Sequence, residues 1–123
     1  MIRKRLYLYS ILSMIYMGFL FYVSSIPIEI EVPSFSALDK LTHLVAYGVL
    51  ACLIYLALHE TNALKGYVLG VAFAISFSYG ALNEIHQYFL PWREADVFDT
   101  IANGMGAFLF LVALRLKIHN RNR

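Results

Sequence analysis

Charge is scarce in this sequence. Aspartate, glutamate, lysine and arginine make up 15% of it against 60% hydrophobic residues, a balance outside the usual soluble range that points to a membrane protein. Cysteine occurs once, at Cys52 inside an apolar run, which excludes an intramolecular disulfide and leaves packing as its role. Proline occurs three times, at 27, 33 and 91, always between apolar runs. No repeat, low-complexity tract or long linker divides the 123 residues, so one domain is expected. A net charge of +2 is too small for a nucleic-acid partner, and the basic residues gather at the two ends instead of on one face.

What the chain has instead is long apolar runs. Residues 6–26 contain no charged side chain, and about 20 helical residues are needed to cross about 30 Å of hydrocarbon. Residues 2–5 precede this run with Arg-Lys-Arg, but it is longer than a signal-peptide core and lacks a small-x-small cleavage pattern before Pro27, so a retained anchor is expected. Further apolar runs give helices over about 39–58, 66–90 and 97–116, with Pro91 as a stop after the third. The expected fold is all-α, an integral membrane four-helix bundle.

Arg3, Lys4 and Arg5 at one terminus and Arg115, Lys117, Arg121 and Arg123 at the other predict that both termini are cytoplasmic. The stretches 27–40 and 91–98 then face outward, carrying Glu29, Glu31, Asp39, Glu94 and Asp96 against Lys40 and Arg93. Helix two starts, helix three ends and helix four starts at that outer face, so their polar residues meet at one depth. Asp39, His43 and Tyr47 recur every four residues on helix two. At about 100° per residue, Ser76, Tyr79, Gly80, Asn83, Glu84, His86 and Gln87 share one side of helix three, with Ile75, Ala81, Leu82, Ile85 and Phe89 opposite. Asp96, Asp99, Asn103 and Gly106 line a stripe on helix four.

Two segments, DKLTHLVAYGVLACLIY and YGALNEIHQYFLPWREADVFDTIANGMGAFLF, resemble the VanZ-like family of small bacterial membrane proteins over about residues 38–112. Asp39, Lys40, His43, Tyr47, Tyr79, Gly80, Glu84, Gln87, Arg93, Asp99, Asn103 and Gly106 carry the resemblance; the first helix and both tails lie outside it. It implies a multi-pass protein of the bacterial cytoplasmic membrane with a role at the cell envelope. One member of the family is associated with low-level resistance to the glycopeptide teicoplanin. It implies no reaction.

Each candidate has a structural and a functional reading. Glu84, about two turns from the end of helix three, carries a charge that costs about 2.5–3.5 kcal/mol in the bilayer, so a partner is expected among Lys40, Arg93 and His43. It either clamps three helices together or serves a site built on that clamp. Asp39 and His43 have carboxylate–imidazole spacing, suited to holding a base or, with Glu84, His86 or Asp99, a metal; helix capping is the plainer role for Asp39. No compact metal signature appears, and neither metal nor cofactor is assigned. Arg93 has the planar fork that grips a phosphate or carboxylate, or it pairs with Asp96 or Asp99. Asn103 and Gly106 read first as close-packing devices, and Trp92 as an interfacial anchor.

Two function classes follow. In the first, an outward-facing pocket formed by Asp39, Lys40, His43, Tyr47, Glu84, Gln87, Arg93, Asp99 and Asn103 binds or modifies an envelope component: a lipid headgroup (an anionic one included), a cell-wall precursor or a glycopeptide. In the second, a membrane-embedded hydrolase or transferase acts on a lipid-linked phosphate, with Glu84, His43 and Asp99 as catalytic candidates; no nucleophile is identifiable. Oligomeric state is open.

Overall fold

The computed structural model describes residues 2–27 and 36–123. Glu29, Glu31 and Pro33 of the expected acidic loop lie outside the described residues. Four helices are present and, among the described residues, no strand: α1 (Ile2–Ser25), α2 (Ala37–His59), α3 (Val68–Tyr88) and α4 (Val97–Arg121). All four are long and apolar enough to span a membrane. Even α3, the shortest, reaches about 30 Å at about 1.5 Å per residue.

Helix ends differ from the hydropathy pattern for local reasons. Arg3, Lys4 and Arg5 are helical and exposed rather than preceding the helix, and α4 runs past its apolar run to Arg121. Long basic side chains continue a helix into the interface while their charged ends stay in water. α3 begins only at Val68, after Gly66 turns the chain at φ 88°, a conformation open to glycine at no steric cost. It ends at Tyr88, ahead of Pro91, consistent with the pressure a proline puts on the residue before it.

α2 is the central element. Its interface with α4 is the most extensive in the molecule, and it also packs on α1 and α3, while α1 touches α3 only lightly. Lipid tails are as apolar as leucine, so helix association here depends on close packing and interhelical hydrogen bonds. The core is correspondingly small-sided: Ala51, Ala72 and Ala107 are fully buried with Leu50 and Leu111. Gly106 lies against the backbone of Leu44, where a Cβ would come within 2.6 Å of the Leu44 carbonyl carbon. The α3 periodicity is realised inside-out. Ser76, Gly80, Asn83, Glu84 and Gln87 are buried, while Ile75, Leu82, Ile85 and Phe89 are exposed on the lipid-facing side.

The two ends of the bundle have opposite charge. Lys65 joins the basic residues of both tails at one end, whereas Lys40, Arg93 and most of the acids lie at the other. The expected orientation is testable on intact cells. A cysteine placed at Glu94 should react with a membrane-impermeant thiol reagent and one placed at Asn120 should not, in a Cys52→Ala background. The reverse pattern inverts the topology and turns the acidic end inward.

Candidate functional site

The polar faces of α2, α3 and α4 meet at the acidic end, because antiparallel neighbours bring the start of α2, the end of α3 and the start of α4 to one level. Lys40 is the hub. Its Nζ donates to Asp39 Oδ2 at 3.2 Å, to Asp96 Oδ2 at 2.6 Å and to Asp99 Oδ1. The opposite oxygens of two of these carboxylates face His43: its Nε2 lies 3.9 Å from Asp39 Oδ1 and 3.5 Å from Asp99 Oδ2. On its far side Nδ1 is 3.0 Å from Asn103 Oδ1. This contact holds the ring with Nε2 toward the acids.

Asp96 joins all three helices. Its Oδ1 caps α4 by accepting from the Phe98 N–H at 2.9 Å, its Oδ2 holds Lys40, and its own N–H donates to Glu84 Oε2 at 3.2 Å. The Lys40 ammonium keeps the Asp96 carboxyl below its ordinary range. Asp39 sits in the first turn of α2, where the helix dipole favours an acid. Its carboxylate is turned to Lys40 and His43 rather than capping the helix.

Below this layer lies a buried second one. Tyr47 accepts from Asn83 Nδ2 on its hydroxyl at 2.7 Å and from Ser76 Oγ on its carbonyl at 3.0 Å, tying α2 to α3 at two points. Asn103 is fully buried and its Nδ2 has no hydrogen-bond partner among the described residues. It packs against Gly80, where a Cβ would stand 2.8 Å from that nitrogen.

The structure therefore joins Asp39, Lys40, His43, Asp99 and Asn103 directly, and Glu84 through Asp96. Glu84 is buried, 6% exposed, and does not face lipid. Its described partner is a main-chain N–H, not one of the three side chains expected of it. Tyr47 belongs to the buried layer. Gln87 and Arg93 turn elsewhere: Gln87 Nε2 donates to the Ser24 carbonyl at 3.2 Å, and Arg93 donates to the carbonyls of Ile26, at 3.1 Å, and Val23. Among the described residues Arg93 forms no salt bridge, so the ion pair with Asp96 or Asp99 is replaced by a tie to α1. Burial pushes its guanidinium below the ordinary value. Sequence reasoning put Asp96 in the outer stretch and on the polar stripe of helix four, and Asn83 on the polar side of helix three, but counted neither as a site residue. The cue for Asp96 was its position three residues before Asp99, immediately ahead of an apolar run, which is an N-cap position.

One acceptor atom from each of Asp39, His43 and Asp99 lies within 4.8 Å of the others. Such a set suits a divalent ion, an ammonium or another hydrogen-bond donor, with Asn103 fixing the imidazole from behind. A family model described as VanZ/LLP1 matches residues 5–118. The chain belongs to the VanZ/LLP1 family. The match covers all four helices, more than the stretch 38–112 that carries the motifs, so α1 is part of the VanZ/LLP1 unit. No curated protein and no solved structure matches the chain. With four candidate spans, this VanZ/LLP1 protein is a multi-pass membrane protein.

Proposed function

We propose that this VanZ/LLP1 protein sits in the bacterial cytoplasmic membrane and uses the acidic end, facing outward, to bind an envelope component through that component's hydrogen-bond donors. The observation that carries the proposal is the division of labour at Lys40. The ammonium takes one oxygen from each of Asp39 and Asp99, and the opposite oxygens stand beside His43 Nε2 as a cluster of acceptors. Asp39, with its side chain 39% exposed, makes the cluster reachable from the surface.

The charge balance selects the ligand class. Asp39, Asp96 and Asp99 pair with Lys40 and Glu84 adjoins Asp96, so four acids stand against Lys40 and Arg93, whose charge acts on Asp39 and Glu84 while its N–H groups bond the carbonyls of Val23 and Ile26. This arrangement favours an amine or amide donor over an anionic headgroup, since an added anion meets like charge in a poorly solvated place. An amine-bearing lipid headgroup, the peptide of a cell-wall precursor and a glycopeptide all offer such groups, and the last agrees with the association of one family member with teicoplanin resistance. A hydrolase or transferase would draw on the same His43–Asp99 pair, oriented by Asn103 as a general base.

Asp39→Asn and Glu84→Gln separate site from scaffold, because both preserve shape. The expected result is loss of the envelope phenotype, read as glycopeptide susceptibility, while membrane abundance and thermal midpoint stay near those of the parent. Quenching of the single tryptophan, Trp92, during titration with teicoplanin or phosphatidylethanolamine measures binding directly. A phenotype that falls only in proportion to protein level in both variants, with unchanged titrations, refutes the site and leaves a structural clamp.

A further inference from the structure

At the basic end of the bundle, away from the acidic cluster, the chain forms a half-open cavity of about 350 Å³. His59 from the last turn of α2, Thr61, Asn62 and Lys65 from the α2–α3 loop, and Arg115 from α4 supply its polar lining, with Tyr55 at its wall. No acidic residue lines it. Lys65 and Arg115 are exposed, and neither enters a salt bridge among the described residues.

A third source of positive potential opens onto the same space. α3 starts there, with Val68 and Leu69 in the lining. Its N-cap residue, Tyr67, provides no side-chain hydrogen bond, and its first turn holds no acid. The starts of α2 and α4 differ: α2, also without a side-chain cap, has Asp39 in its first turn, and α4 is capped by Asp96 and has Asp99 in its first turn. The first N–H groups of a helix carry about half a positive charge and need acceptors. Here they stand beside two cationic side chains and an imidazole, and the acid next to them in the chain, Glu60 at the C-cap of α2, does not line the cavity. Gly66, at φ 88°, folds the loop so that Lys65 and the start of α3 share the cavity.

We propose that this cavity is a second binding site, one that takes the phosphate of a phosphate ester, held by Lys65 and Arg115 at the start of α3. It lies where α2 ends at His59 and the chain's basic residues gather, the level at which lipid phosphates lie, so a phospholipid headgroup is the nearest source. A water-soluble phosphate ester offers the same chemistry. The proposal does not rest on the function assigned to the acidic end, and either can fail alone.

The test uses the full chain purified in a non-ionic detergent, with ligand retention followed by native mass spectrometry and stability by thermal midpoint. Dioleoyl phosphatidylglycerol should be retained and should raise the midpoint, and dioleoyl phosphatidylcholine, whose phosphate is already balanced by its own choline ammonium, should do neither. The double variant Lys65→Gln/Arg115→Gln should weaken phosphatidylglycerol binding by about tenfold or more, as expected for losing charge-assisted contacts. Arg121→Gln/Arg123→Gln makes the same charge change outside the cavity and should stay within about twofold of the parent. Helix content by circular dichroism and the ligand-free midpoint confirm that both variants are folded. Stabilisation by sn-glycerol 3-phosphate, lost in the first double variant and kept in the second, supports the site and assigns it a soluble ligand. Equal weakening by the two double variants overturns the proposal in favour of general attraction to a basic surface, and no response to either phosphate species overturns it outright.

Discussion

Gly106→Ala should all but remove the folded protein from the membrane. The single methyl it adds would land inside the Leu44 carbonyl, within 2.6 Å of its carbon and 2.8 Å of its Cα. Backbone cannot rotate aside as a flexible side chain can, so α4 would have to move off α2 across the largest interface in the molecule. Overpacking a core costs about 1–3 kcal/mol and occasionally more. A clash with main chain belongs at or beyond the top of that range, a large share of the roughly 5–15 kcal/mol by which domains are stable. Gly18 and Gly70 are internal controls, since a Cβ at either meets nothing within 4 Å. Alanine there should be neutral or stabilising, by up to about 1 kcal/mol, because a mid-helix glycine forgoes that much. The comparison is read as thermal midpoint and membrane abundance. A Gly106→Ala protein as stable as Gly70→Ala would mean that α2 and α4 do not approach as closely as described.

The second large effect is expected from Lys40→Met, which keeps most of the side chain's length and removes its charge. Asp99, 8% exposed at its side chain, and Asp96 would lose the ammonium between them and face each other and Asp39 without compensation. Removing one partner of a buried ion pair costs about 3–5 kcal/mol, largely the penalty of the charge left behind. With the Lys40 side chain still 17% exposed, the lower end of that range is expected. A double-mutant cycle identifies the cause. Lys40→Met/Asp99→Asn should be markedly more stable than the sum of its single changes, because neutralising Asp99 removes much of the stranded charge. Strict additivity would show that Lys40 stabilises through something other than these acids.

Both predictions fall on helix faces that the sequence marked as polar or small-sided, although it offered Lys40 to Glu84 and not to Asp96 and Asp99. Four apolar runs of spanning length specify four helices with little dependence on context, and the three-to-four-residue spacing of Asp39, His43 and Tyr47 and of Asp96, Asp99 and Asn103 put those side chains on the faces where they are found. The close approach at Gly106 was legible as small-residue packing, although not which helix it met. The partners of Glu84 and Arg93 were not legible. Charge patterns pair side chains with side chains, whereas Glu84 accepts from the Asp96 main chain and Arg93 donates to the carbonyls of Val23 and Ile26. Every residue carries those groups, so no letter in the sequence marks them. The ends of α1 and α4 were misplaced because hydropathy locates the bilayer core and not the point at which hydrogen bonding along the helix stops.

The way α1 is attached sets how freely it can change. Tyr79 donates to the carbonyl of Met17, Arg93 to those of Val23 and Ile26, Gln87 to that of Ser24 and Trp92 to that of Ser25. These gripping side chains are on α3 and the loop after it, and what they hold is peptide oxygen that any helix of this length presents at the same height; α1 adds few side chains of its own, Tyr16 on the Ala46 carbonyl, Ser25 on His86 and Leu20 in the core. A first segment that keeps Tyr16, Leu20 and Ser25 and is otherwise rewritten, apolar and equally long, should dock as well as the native one. Within such a scaffold the selective constraint falls on the gripping residues, and the gripped helix becomes the part most open to drift, fusion or exchange.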